Sequence, residues 1–136
     1  MAGRLEQDPD YIPNVGFRWK GKTMNQYQRA LQLWSLLALA ARNQQLLSYE
    51  LIEQLIGVMM VGLGQLLDPV QSYCMAHDLP PLTAIAISRV TGLPGEGFQL
   101  PDRYDDVATA QASVFVFDWA SQPVPSPQDF EAAHHA

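Results

Sequence analysis

An α+β, mainly helical fold is what this sequence predicts: a three-helix core, a β-hairpin behind it, then a C-terminal helix and an extended tail. Three observations carry the prediction. Apolar residues recur every three or four positions from Thr23 to Arg42, and a second helical period runs from Val58 to His77. The alternating, β-branched run Leu82 to Ser88 then meets the glycine-rich turn Thr91 to Gly97. The organisation that follows is an irregular arm over 1–22, a single domain over 23–120 and a proline-rich extended tail over 121–136.

A chain of 136 residues is long enough to bury its own core, and 48% hydrophobic against 16% charged residues is a globular composition on the apolar side. Cys74, the single cysteine, has no disulfide partner, and the first residues carry no secretory apolar run, so the expected setting is reducing and cytoplasmic. No stretch reaches the roughly 18 apolar residues of a membrane span, so no membrane association is expected.

The arm contains Pro9, Pro13, Gly16 and Gly21 without lasting periodicity, and its large apolar groups Tyr11, Ile12, Phe17 and Trp19 pack either on their own domain or on a partner. The first helix follows from Tyr27, Leu31, Trp34, Ala38 and Ala41. Ser48 reads as the N-cap of a short helix with Leu51, Ile52, Leu55 and Ile56 on one side, stopped by Gly57. Within the third helical segment Pro69 follows Asp68, which predicts a kink or restart there, since proline suits a first turn but lacks the helical donor. The Pro80-Pro81 pair ends that helix.

The strand from Leu82 is expected to return through Phe98-Gln99-Leu100, making a hairpin over Thr83 to Phe98. Gly92, Gly95 and Gly97 are expected at positive backbone angles, with Pro94 fixing the first corner. Residues from Asp105 to Ser113 read as helix, whereas Val114 to Trp119 fits a helix or a strand equally. Gln122 to Pro127 reads as extended, and Phe130 to Ala136 as frayed or partner-dependent.

The order helix, short helix, longer helix, strand, glycine turn and return strand, over Tyr27 to Leu100, resembles a winged helix-turn-helix domain. Ser48-Tyr49-Glu50-Leu51-Ile52 with Leu55-Ile56-Gly57 is similar to the second-helix motif of such domains, including the DNA-binding half of alkylguanine alkyltransferases. The active-site Pro-Cys-His-Arg motif of that family has no counterpart, because the corresponding stretch is Leu79-Pro80-Pro81-Leu82-Thr83. That stretch with Thr91 to Phe98 also resembles small bacterial proteins of no assigned function. The resemblance implies a winged-helix scaffold and, in that family, a third helix laid in the DNA major groove.

Charge argues against the second implication. The net charge is −6, and no Lys or Arg occurs from Asn43 to Ser88, the span that holds the would-be recognition helix. Since phosphate neutralisation supplies most non-specific affinity, such a helix docks poorly on a duplex. The same segment is apolar nearly all round and rich in adaptable methionine, which predicts a surface for a partner protein or a second copy, bearing Met59, Met60 and Leu63, with Leu93, Glu96 and Phe98 at the hairpin tip. By analogy, small acidic proteins of this kind modify or neutralise larger bacterial or phage proteins. The alternative is a dimeric DNA-binding regulator that uses Arg18, Lys20, Lys22 and Arg89, and it implies steeply salt-dependent association.

No catalytic residue, metal site or cofactor is predicted. Cys74 and His77 have half of a zinc spacing, but His134 and His135 lie in the tail, and a core cysteine is the better reading. Asp102, Asp105 and Asp106 precede a helix, where carboxylates serve as caps. The glycine loop lacks the lysine and the following helix of a phosphate-binding loop.

Overall fold

Local signals set where each helix begins. In the computed structural model, which describes the backbone of 18, 19, 22–58 and 60–136 and the side chains of 24–58 and 62–136, five α-helices carry the fold. These are α1 (Gln26–Arg42), α2 (Tyr49–Ile56), α3 (Met60–Ala76), α4 (Val107–Val116) and α5 (Pro127–His134). A 3₁₀ turn covers Leu82–Ile85. The two-residue strands are β1 (Arg18–Trp19) and β2 (Lys22–Thr23), paired antiparallel within the predicted arm, and β3 (Leu47–Ser48) and β4 (Ala86–Ile87), paired in parallel.

Helix α1 opens on a capping box in which Asn25 accepts from the backbone of Gln28 while the Gln28 side chain accepts from Asn25. Ser48 caps α2 through Leu51 N–H, and Gly57 ends it at φ 71°, a left-handed conformation that glycine adopts without a Cβ penalty. Both are the roles the sequence predicts. Asp106 accepts from Thr109 N–H at 2.7 Å and starts α4.

The core lies where α1, α3 and α5 pack together. Ala30, Leu33, Leu37 and Ala41 of α1, Val70 of α3 and Phe130 of α5 are wholly buried. A ring cluster ties the three helices: Trp34 meets Tyr73 edge-on at 5.5 Å and Trp119 at 5.5 Å, and Phe130 lies 5.9 Å from Trp34 and 5.6 Å from Tyr73. Trp119 donates its indole N–H to the Val114 carbonyl at 2.9 Å, so its polar edge is satisfied inside the core. Helix α4 rests on the 3₁₀ turn, where Gln111 donates to the Ala84 carbonyl at 2.9 Å.

Several expectations are corrected. The tail is not extended to its end: Ser126 and Asp129 form a second capping box with Pro127 in the first turn, and α5 follows. Its end is tied to α1, where Tyr27 Oη bonds His134 Nδ1 at 3.1 Å and His135 Nε2 at 3.0 Å. Of the kink or restart expected at Asp68, the restart does not occur, and helix α3 continues through Pro69. The carbonyl that loses its donor to a proline is four residues back, at Gln65, and Gln26 of α1 supplies the missing bond at 2.6 Å.

The hairpin is absent. Ala86–Ile87 forms a strand, but its partner is Leu47–Ser48 in parallel register, with α2 and α3 inside the crossover. Residues 88–93 close on Ser88 instead, which donates to the Leu93 carbonyl at 2.9 Å and accepts from Gly92 N–H at 2.7 Å. Among the turn glycines only Gly92 has a positive φ. Of the open segment, Val114 to Val116 is helical and the chain then turns at Phe117.

Three helix and turn caps make stability acid-sensitive. Hydrogen bonds hold the carboxyls below the ordinary 3.8: the Thr109 side chain and backbone act on Asp106, the Ser121 side chain on Asp118, and the Ser126 backbone on Asp129. A depressed native value means their contribution is complete above the unfolded value and is lost as pH falls through the native one. The melting temperature is therefore expected to be level above about pH 5 and to fall below about pH 4, and replacing all three by Asn should flatten that fall.

Candidate binding cavity

A cavity of about 290 Å³ opens between the start of α2, one face of α3 and the loop at 95–98. Its walls are mostly apolar, formed by Leu63, Gly64 and Leu67 of α3, the Tyr49 ring and Phe98, with Thr83 of the 3₁₀ turn behind them. Asp68 and Gln71 add polar groups from α3. The α3 period assembles this face, since 64, 67, 68 and 71 are three and four residues apart.

The loop is held over the cavity by side chains rather than by a strand ladder. Tyr49 Oη accepts from Gly95 N–H at 2.5 Å. Gln71 uses both ends of its carboxamide: Nε2 donates to the Gly97 carbonyl at 3.2 Å, and Oε1 accepts from Gln99 N–H at 2.8 Å. Gln71 thereby engages the Gln99 N–H, a backbone group of the expected return strand Phe98-Gln99-Leu100. Gly95 allows this close approach, because a Cβ there would lie 3.0 Å from Tyr49 Oη and the ring would have to give by a few tenths of an ångström.

Two polar groups belong to the residues that line the cavity, one sealed from it and one exposed. Thr83 is 5% exposed, yet its Oγ1 has no hydrogen-bond partner, a costly state for a buried hydroxyl. Asp68 is exposed and carries the only formal charge among the lining residues.

The structure brings together part of the predicted interaction surface. Leu63, 2% exposed, belongs to the core and to the cavity wall, and half-buried Phe98 stands on the opposite wall. Leu93, 52% exposed, ends the 88–93 loop and exposed Glu96 lies in the 95–98 loop, so the predicted hairpin tip is corrected to two loop positions, neither of which lines the cavity. Met59 and the Met60 side chain lie outside the described residues, as do Lys20 and the side chains of Arg18 and Lys22. Arg89 is exposed on the 88–93 loop. Tyr49, Leu67, Asp68, Gln71 and Thr83 were not singled out from the sequence as binding residues; only the helical spacing of the α3 members signalled that they share a face.

The residues weighed for chemistry have other employment. Burial pushes the Cys74 thiol up to about 12, which leaves it protonated and unreactive at neutral pH. His77 stacks on Tyr73 with ring centroids 4.1 Å apart. Arg103, beside Asp102, donates to the Leu79 carbonyl at 2.7 Å and to Asp78 at 3.0 Å, closing the end of α3. Among the described residues no three His, Cys, Asp or Glu side chains are grouped to hold a metal, and no helix is long and apolar enough to cross a membrane. Comparison with protein-family models, curated proteins and solved structures gives no significant match.

Proposed function

We propose that the chain is a non-catalytic protein-interaction module that seats one side chain of a partner protein in the cavity between α2, α3 and the 95–98 loop. The observation that carries the reading is the cavity itself: mostly apolar walls, with a loop pinned in place by Tyr49 and Gln71. Its volume is at the low end for small-molecule pockets, about 300–1,000 Å³, which suits a single side chain rather than a multi-ring cofactor. The winged-helix resemblance contributes the idea of a third helix presenting a binding face, but here that face is apolar and acidic. The DNA-binding reading is weaker on the same ground, since no cation lines the cavity and the span 43–88 contains none.

Gly64 gives a test that leaves the fold intact. A Cβ at this helical, exposed position meets nothing within 4 Å, so Gly64→Phe can occupy the cavity mouth while improving helix propensity. Peptides selected from a random display library on the full chain are expected to bind it in solution and to lose at least about tenfold in affinity for Gly64→Phe, about 1.4 kcal/mol. Failure to enrich any peptide, or equal binding by Gly64→Phe, rejects the proposal.

A further inference from the structure

We infer that the side chain this cavity takes is an arginine of the partner, a deepening that rests on the protein-binding reading above. The polar groups left over at the cavity are one carboxylate and two hydroxyls. Asp68 is a carboxylate, which only accepts; Tyr49 Oη has accepted one bond from Gly95 and can still accept or donate another, while Thr83 Oγ1 is sealed from the cavity and takes no part. The carboxamide of Gln71 is engaged by the loop at both ends. The one charge at the cavity is therefore an acceptor, and guanidinium, a five-donor cation with no acceptor, complements it.

The walls select the rest of that side chain. Leu63 and Leu67 suit a methylene stem, which an arginine buries along apolar surface. The rings of Tyr49 and Phe98 suit a planar cation, because guanidinium stacks on aromatic faces and is more weakly hydrated than ammonium. Lysine carries a compact, strongly hydrated charge and gains less from the same walls. The surrounding charge agrees: from Asn43 to Ser88 the chain holds Glu50, Glu53, Asp68 and Asp78 with no basic residue, so an approaching cation meets no like charge from this stretch.

The test titrates the full-length, isotope-labelled chain with N-acetyl-arginine N-methylamide and with the corresponding lysine and norleucine derivatives, following the backbone amides of Gly64, Leu67 and Gly97. Saturable shifts are expected with the arginine probe, at roughly fivefold higher affinity than norleucine and above lysine. Asp68→Asn should weaken the arginine probe by about fivefold and leave norleucine unchanged. Thr83→Val should leave the arginine probe bound as before while the melting temperature holds or rises, because the hydroxyl exchanged for an isosteric methyl is sealed from the cavity. That combination separates a binding role from a structural one.

No shift with arginine, an equal response to lysine or norleucine, or an Asp68→Asn variant that binds as before overturns the inference. If display peptides are nonetheless enriched, carry an apolar anchor and are lost with Gly64→Phe, the protein-binding reading stands without the arginine. If Gly64→Phe leaves those peptides bound, both fall.

Discussion

Phe130→Ala is expected to destabilise the protein by about 3–5 kcal/mol, the range for truncating a fully buried phenylalanine. The residue is 0% exposed and meets both Trp34 and Tyr73, so the substitution opens the ring cluster where α1, α3 and α5 converge. Native domains hold only about 5–15 kcal/mol in total, which makes this a loss of a third or more for most. Urea unfolding reads the effect as a shift in midpoint, with Val124→Ala, 65% exposed, as the neutral control. A change below about 1 kcal/mol would mean that α5 is dispensable to the core.

Arg29→Leu is the second large effect, at about 1.5–3 kcal/mol, the worth of a hydrogen bond to a charged group. Arg29 is 8% exposed within α1, and its guanidinium donates to the carbonyl of Ile56, the last residue of α2. There a cation meets both an orphan carbonyl and the negative end of the helix dipole. Leucine keeps the packing volume but leaves that carbonyl unpaired. Hydrogen exchange should quicken first along Tyr49–Ile56, and because Tyr49 holds Gly95, the loop over the cavity should loosen with it. Uniform exchange across all helices would count against this route.

What was legible in the sequence follows the range of the interactions. Ser48, Gly57 and Asp106 act within three or four residues, and their roles could be read directly. Ser126-Pro127-Gln128-Asp129 is an equally local start signal, but the prolines before it argued for an extended tail and outweighed it. The continuity of α3 could not be read locally, because the bond that makes Pro69 tolerable comes from Gln26, 39 residues before Gln65. Alternation predicts a strand over Leu82 to Ser88, of which only Ala86–Ile87 is strand while Leu82–Ile85 is a 3₁₀ turn, and a period of two says nothing about which segment lies alongside. The cavity is the extreme case. Tyr49 and Gly95 are separated by 46 residues, and a helix face and a loop become its walls only once both are placed.

The base of the 88–93 loop has one more consequence. Ser88 bonds both Gly92 and Leu93, so the intervening residues hang outside the structure on a closed collar. Their number does not enter the position of Gly95 or Phe98, which is set separately by Tyr49 and Gln71. Val90, 90% exposed, marks the outermost point. This is where the chain can grow by insertion, or carry a grafted epitope or fluorophore, without disturbing what lies below.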